Sequence, residues 1–304
     1  MDFYVLGSCV AAAAGGAAAL PWAGCLLGRK KRSFESWWDE SFEGWKAFRA
    51  ENGRDPKSKA PGHEGALGVW VRAQRDDATR GALTESRMKR LEDAGFEFGG
   101  RAEAVPDAKF DYELDWKPDA CAYLALASLV IWMAVVWLSG IRGTWALITG
   151  IAFGVSVLTG IAMAACDVKA RVIPWECCAA MAAAGAILAF LENGLSGLAW
   201  TVGAAVVVGA ALWVLGKVFK LTGREAMGGG DLRAAPAAVM LAGVAPHVAL
   251  ASGAVWGGLI AAAGLIAWLV VELARGKVAL HGNIPLGPFF AAWAATGIIA
   301  TLFV

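Results

Sequence analysis

Charged side chains are scarce outside one stretch of this 304-residue sequence. Residues 29–117 hold 18 of the 27 basic and 18 of the 26 acidic side chains, and the rest consists mainly of long apolar runs. Hydrophobic residues make up 58% of the chain, and the mean hydropathy is +0.55, which excludes an ordinary soluble globular protein. The composition predicts a membrane protein that carries one polar domain.

Metal-binding and disulfide patterns are also missing. No CxxC pair occurs, the three histidines lack metal-ligand spacing, and the polar stretch contains no cysteine. This argues against a zinc site and a disulfide framework, so we expect no metal and no cofactor. The six cysteines lie in or beside apolar runs, where thiols act as small apolar side chains: Cys9, Cys25, Cys121, Cys166, Cys177 and Cys178.

Eight apolar runs meet the requirement of about 20 residues for a membrane-spanning helix. They predict an all-α fold, a polytopic membrane helical bundle of about eight spans with a small three-helix cytoplasmic domain. The expected domains are a first anchor (1–28), the polar domain (29–117) and a membrane domain (118–304). The runs are Phe3–Leu27, Ala120–Leu138, Trp145–Cys166, Trp175–Leu191, Leu198–Phe219, Leu232–Leu250, Val255–Val271 and Leu286–Val304.

The basic residues predict the orientation of these spans, because basic loops stay in the cytoplasm. The "RKKR" run (Arg29–Arg32) follows the first span, which predicts an inner-membrane protein with its N-terminus outside and its polar domain in the cytoplasm. Alternate threading leaves only Arg142 outside. Because the charges follow the first apolar run, we expect that run to be a retained anchor. The residues threaded to the cytoplasmic face are Lys169, Arg171, Lys217, Lys220, Arg224, Arg233, Arg275 and Lys277.

Two acids emerge at this predicted cytoplasmic face. Asp167 ends the third span in "CDVKARVIPW", and Asp231 follows the fifth span in "MGGGDLR". Acids at such positions are costly and are therefore functional candidates. Two nearby carboxylates in a low-dielectric site share a proton, so one can activate water while the other donates a hydrogen bond to a carbonyl oxygen. An isolated Asp167 could instead pair with Lys169 or with Arg171.

Three motifs resemble those of type IV prepilin peptidases and archaeal preflagellin peptidases. "DVKARVIP" resembles their first aspartate motif, "MGGGDLR" their GxGD motif, and "NIPLGPFFA" the entry to their last helix, over about residues 120–304. The resemblance implies an aspartic endopeptidase with Asp167 and Asp231 as catalytic residues. It also implies a set of substrate-binding or site-shaping residues: Gly228, Gly230, Lys169, Arg171, Pro174, Arg233, Pro285 and Pro288.

The same resemblance implies the partners. The substrate would be a type IV pilin-like precursor, whose basic leader stays in the cytoplasm while its hydrophobic helix enters the membrane lipid. Bifunctional members of the family carry CxxC pairs and N-methyltransferase activity in the first cytoplasmic loop. Because this loop has no cysteine, the methyltransferase activity and the use of S-adenosylmethionine are not carried over.

The polar stretch predicts three short helices over residues 33–98, with Ser33 capping the first and Thr84 the third. Its Trp-rich first helix, "NGRDP", "LGVWVRAQR" and "LTESRMKRLEDAGFEF" resemble the helicase-associated domain, which implies nucleic-acid binding. The equal numbers of acidic and basic residues leave no net positive footprint. This balance favours a docking module over a nucleic-acid-binding one.

Two other functions are compatible with parts of the pattern. A presenilin-like or signal-peptide-type intramembrane protease shares only the GxGD element, and "CDVKARVIP" disfavours it. A non-catalytic membrane anchor or small transporter would need neither aspartate. Neutralising Asp167 and Asp231 separates this last function from the enzymatic ones.

Overall fold

The computed structural model describes residues 2–79, 83–99, 104–105, 114–170, 172–221, 230–242, 255, 257–267, 286–300 and 302. The chain divides into two compact units. We call residues 1–26 with 114–304 the membrane unit, and residues 27–113 the polar module. The boundaries of the anchor, the polar domain and the membrane domain given above remain predictions.

The described residues are almost entirely helical. In the polar module, two short strands, β1 (Leu83–Thr84) and β2 (Ala104–Val105), pair in parallel with Leu83 opposite Ala104. This pair was not expected from the sequence. The helices are α1 (Phe3–Asn52), α2 (Gly62–Thr79), α3 (Glu85–Asp93), α4 (Pro118–Ser139), α5 (Gly143–Ala170), α6 (Trp175–Leu221), α7 (Asp231–Ala242), α8 (Gly257–Ala267) and α9 (Gly287–Ala300).

Four described helical segments are long and apolar enough to cross a membrane: α1, α4, α5 and residues Asn193–Lys217 of α6. Three shorter apolar helices accompany them, at Trp175–Leu191, Gly257–Ala267 and Gly287–Ile299. Gly194 breaks α6 with a left-handed φ of 62°, between the predicted fourth and fifth spans. A helical membrane protein is confirmed, whereas eight spans and a three-helix domain remain predictions.

Helix α1 differs from its prediction. The expected N-cap at Ser33 is wrong, because α1 continues from Phe3 to Asn52 through the "RKKR" run. The physical reason is local: Lys, Arg and Glu are good helix formers, and no proline lies between Pro21 and Asp55 to interrupt the ladder. The helix ends where expected, with Gly53 at a φ of 63° and its N–H donating to the Arg49 carbonyl at 2.8 Å.

Close backbone contact through glycine joins α1 to α5 in the membrane unit. A methyl group added at Gly154 would lie 2.4 Å from the Ala11 carbonyl oxygen, and one added at Gly150 would lie 2.3 Å from the Ser8 Cβ. Small residues of this kind let membrane helices approach closely. Ser8 also accepts a hydrogen bond at 2.9 Å from the buried Trp132 indole of α4.

A cluster of large aromatic rings forms the core of the polar module. Trp38, Trp45 and Trp70 are each at most 2% exposed, and they pack with Phe42 and Phe96. The Trp45 indole donates to the Asp55 carboxylate at 2.9 Å. The expected capping of α3 is confirmed in position only, since Thr84 is its N-cap residue but its side chain makes no capping hydrogen bond.

Candidate active site

Asp167 lies in the last turn of α5 and is almost completely buried, with 6% of its surface exposed. Its Oδ2 atom accepts a hydrogen bond from the backbone N–H of Gly287, 2.8 Å away. Gly287 is the first residue of α9, so Asp167 connects two helices that are 120 residues apart in sequence. A buried carboxylate needs such a donor, because a buried polar group without a hydrogen bond is costly and an unpaired buried charge costs far more.

The first turn of α9 fits closely over Asp167. A methyl group added at Gly287 would lie 3.0 Å from the Asp167 Cβ and 3.1 Å from the Met163 carbonyl oxygen. Pro288 follows at a position where its missing N–H costs the helix nothing. One turn further along α9, Ala291 faces Gly160 of α5, where an added methyl would lie 2.7 Å from the alanine Cβ. Small residues therefore bring α9 against the end of α5.

Asp231 is the first residue of α7 and is half-buried. The Gly230 carbonyl accepts hydrogen bonds from the N–H groups of Arg233 and Ala234, at 3.1 and 3.0 Å, and so begins the helix. An acid in this position is favoured by the partial positive charge at a helix N-terminus. A methyl group added at Gly230 would lie 3.0 Å from the Cβ of Ile173, six residues after Asp167. The two aspartate motifs are therefore in contact through Gly230 and Ile173.

A groove of about 440 Å³ lies between the first turns of α6 and one face of α7. Its α7 side begins at Arg233, two residues after Asp231, and its lining is apolar apart from that arginine. Such a groove suits an apolar segment with one polar end. The lining residues are Trp175, Cys178, Ala179, Ala182, Arg233, Pro236, Ala237 and Met240.

A third acid lies near this site. Glu176, in the first turn of α6, is half-buried and interacts electrostatically with the thiols of Cys166 and Cys177. Cys166 directly precedes Asp167. From the sequence, Glu176 is interpreted as an interfacial charge, and its electrostatic influence on Cys166 of α5 depends on helix packing.

The remaining predicted site residues are exposed, lie just before a helix, or fall outside the described residues. Lys169 and Arg233 are exposed at the ends of their helices, and Pro174 directly precedes α6. Arg171, Gly228 and Pro285 lie outside the described residues. Within the described ranges, no group of three or more His, Cys, Asp or Glu side chains is placed to hold a metal ion.

Sequence reasoning missed Gly287 and Ile173, although both lie inside recognised motifs. The glycine of "NIPLGPFFA" was visible beside Pro288, and the isoleucine of "DVKARVIP" precedes Pro174. The available signal was the Gly-Pro pair itself, since glycine before a helix-starting proline often marks close backbone approach. The motif alone does not indicate which residue the Gly-Pro pair approaches.

Residues 153–266 match the model of the type IV leader peptidase family, and residues 35–99 match that of the helicase associated domain. The resemblances inferred from the motifs are thereby confirmed. The first match contains Asp167 and Asp231, whereas Gly287 lies beyond its end. Comparison with curated proteins and with solved structures gave no match. The similarity to leader peptidases over residues 153–266 supports a peptidase.

Proposed function

We propose that this protein is a membrane-embedded aspartic endopeptidase that removes the basic leader from type IV pilin-like precursors. Asp167 and Asp231 are the catalytic pair. The observation that supports this function best is the buried Asp167 carboxylate, held at the end of a spanning helix by the Gly287 N–H. It lies within the residues that are similar to leader peptidases.

The chemistry follows from two carboxyl groups that share one proton. The ionised group takes a proton from a water molecule, whose oxygen attacks the carbonyl carbon of the scissile peptide bond. The protonated group donates a hydrogen bond to the carbonyl oxygen as negative charge develops there. When the C–N bond breaks, the leaving amine takes up the proton that the ionised group accepted from water, and the pair again holds one shared proton.

The apolar lining of the groove between α6 and α7 suits an apolar segment of the substrate. It begins beside Asp231 and runs along the Pro236 and Met240 face of α7. A precursor whose hydrophobic helix enters the bilayer would place the residues after the cleavage site along this groove. Its basic leader would remain at the cytoplasmic face, which in our proposed topology is the face where α5 ends and α7 begins.

The arginines of the polar module favour docking over nucleic-acid binding. Arg75 pairs with Asp55 at 2.6 Å, and Arg90 pairs with Asp39 at 2.8 Å. Phosphate contacts would have to compete with these partners. We therefore expect the detergent-solubilised chain to show no salt-dependent binding of DNA or RNA, measured by fluorescence anisotropy. A steep salt dependence would instead support the nucleic-acid role.

The function is tested by co-expressing the chain with a candidate pilin-like precursor and sequencing the mature N-terminus. We expect Asp167→Asn and Asp231→Asn each to abolish cleavage while membrane insertion is retained. Asp119→Asn, an exposed acid in the first turn of α4, is the matched control and should cleave normally. Full cleavage by either catalytic-site variant would contradict the proposal.

The same system separates the intramembrane-protease alternatives. N-termini of membrane proteins are compared in cells with the wild-type chain and with Asp231→Asn. New N-termini directly after basic leaders support the leader peptidase. New N-termini within hydrophobic spans support a presenilin-like or signal-peptide-type protease instead.

A further inference from the structure

We propose that Gly287 is a positioning residue for the catalytic Asp167, acting through its backbone N–H and through the absence of a side chain. The proposal rests on the proposed function of the aspartate pair. Gly287 lies outside residues 153–266, so the last helix would complete a site whose two acids both lie within them. Three observations support it.

The first observation concerns the hydrogen-bond acceptors of the N–H groups at the start of α9. Pro288 has no N–H, and the N–H groups of Phe289 and Phe290 donate to the Leu286 carbonyl at 3.0 and 3.1 Å. The Gly287 N–H instead donates to the Asp167 Oδ2 at 2.8 Å. The first donor of α9 therefore bonds to the acid of another helix, and the next two N–H groups bond within the turn.

The second observation concerns the environment of this hydrogen bond. Both partners are buried, so water does not compete strongly for either atom. A backbone N–H can only donate, which makes Oδ2 an acceptor. The positive end of the α9 helix dipole adds to this effect. This hydrogen bond therefore restrains the carboxylate against the start of α9.

The third observation is steric. A methyl group at Gly287 would lie 3.0 Å from the Asp167 Cβ, 3.2 Å from its Oδ2 and 3.1 Å from the Met163 carbonyl oxygen. These contacts are tighter than ordinary packing, and two of them involve the catalytic side chain itself. Any side chain at Gly287 must therefore shift either Asp167 or the start of α9.

A positioning role predicts a specific kinetic effect. Gly287 contacts the acid and is not among the residues that line the groove, so its loss should slow the chemical step without weakening precursor binding. For Gly287→Ala we expect kcat to fall about 10- to 100-fold, as for small misplacements of a reacting group, with KM at its wild-type value. Processing of the precursor in detergent measures both constants.

Two matched variants disturb the packing of α9 without touching Asp167. Gly257→Ala would place a methyl 2.6 Å from the Trp293 carbonyl oxygen, and Gly160→Ala would place one 2.7 Å from the Ala291 Cβ. Because these contacts are closer than those at Gly287, both variants should lower thermal stability at least as much as Gly287→Ala does, with a smaller loss of kcat. If the three variants lose kcat in proportion to stability, or if Gly287→Ala changes only KM, the positioning role is overturned.

A second measurement does not depend on activity or on the stability of Gly287→Ala. The Cβ positions of residues 167 and 287 would lie 3.0 Å apart, slightly closer than the roughly 3.5–4.5 Å of a disulfide. A small outward shift therefore lets a chain with Asp167→Cys and Gly287→Cys cross-link on mild oxidation. Peptide mapping distinguishes this bond from one to the neighbouring Cys166, and Gly287→Cys alone is the control. Failure to cross-link overturns the contact itself. Cross-linking of the double variant, together with no precursor cleavage by the wild-type chain, overturns the proposed function and, with it, any catalytic role for the contact.

Discussion

The two compact units of this protein pack through side chains of opposite size: small residues in the membrane unit and large aromatic rings in the polar module. In the membrane unit, α1 meets α5 through glycines whose neighbours are backbone atoms, as at Gly150 and Gly154. In the polar module, the core is a cluster of tryptophan and phenylalanine rings around Trp45. The first kind of packing fails when volume is added, and the second fails when volume is removed.

Polar groups are also satisfied differently in the two units. Hydroxyl groups of the membrane unit often donate to carbonyls of their own helix, such as Thr159 to Val155 and Thr296 to Ala292. In the polar module, ion pairs cross between elements at the surface, as between Arg90 of α3 and Asp39 of α1. Asp167 departs from the pattern of its unit, because its carboxylate accepts a hydrogen bond from another helix. Its burial and this hydrogen bond are the observations from which we propose a functional role for it.

Truncation of a core ring should cause the largest effect on either unit. Trp45 is fully buried, packs on Phe42 and Phe96, and donates to Asp55. We expect Trp45→Ala to lower the unfolding free energy of a fragment of residues 27–113 by about 3–5 kcal/mol. Chemical denaturation followed by fluorescence measures this loss.

The matched control for that prediction is Trp37→Ala. Trp37 lies on the same helix but is 48% exposed, so its truncation should leave the unfolding free energy near the wild-type value. Equal losses for Trp37 and Trp45 would mean that the aromatic cluster does not hold the module together. The contrast between small-residue packing in the membrane unit and aromatic packing in the polar module would then no longer hold.

In the membrane unit, the corresponding destabilising change is the addition of a single methyl group. At Gly154 the added Cβ would lie 2.4 Å from the Ala11 carbonyl oxygen, and backbone cannot move aside as a flexible side chain can. We expect Gly154→Ala to destabilise the chain by about 1–3 kcal/mol, seen as a lower Tm in detergent.

Gly203 of α6 provides the control, because among the described residues no atom lies within 4 Å of its added Cβ. Gly203→Ala should raise Tm slightly, since alanine is the better helix former by about 1 kcal/mol. A Tm for Gly154→Ala equal to or above that of Gly203→Ala would show that α1 and α5 are not in backbone contact.

The sequence was sufficient for much of this architecture, because the features concerned are local or compositional. Apolar runs located α4 and α5, and motifs of a few residues identified Asp167 and Asp231. The continuity of α1 was missed because Ser33 is a good N-cap only where a helix begins, and the preceding residues already form one. A capping residue alone does not determine where a helix starts.

The contact between Asp167 and Gly287 could not have been predicted in the same way. The two residues are separated by 120 positions, and the contact depends on how closely α9 approaches α5. That approach is set by small residues such as Gly160 and Ala291, whose pairing is a property of the packed helices. Motif order predicted that the segments belong to one site, and helix packing determines which atoms meet.

The smallest expected effect concerns the titration of the polar module surface. Glu64 accepts hydrogen bonds from the Arg54 guanidinium at 2.8 Å and from the Lys57 backbone N–H at 3.1 Å. The Arg54 hydrogen bond, followed by that from Lys57, lowers the pKa of the Glu64 carboxyl below its usual value. The unfolded chain, without these partners, therefore binds this proton at a higher pH.

The sign of the pH effect follows from this lowered pKa. The contribution of Glu64 to stability is fully present above the unfolded-state pKa and is lost as the pH falls through the folded-state pKa. The difference in unfolding free energy between the wild-type fragment and Glu64→Gln should therefore shrink as the pH is lowered through the carboxylate range. Glu51→Gln, which removes an exposed acid from the last turn of α1, is the control and should show no such convergence. Parallel pH curves for the wild type and Glu64→Gln would show that the surface pairs of the module do not contribute to its stability, leaving the aromatic core as its main support.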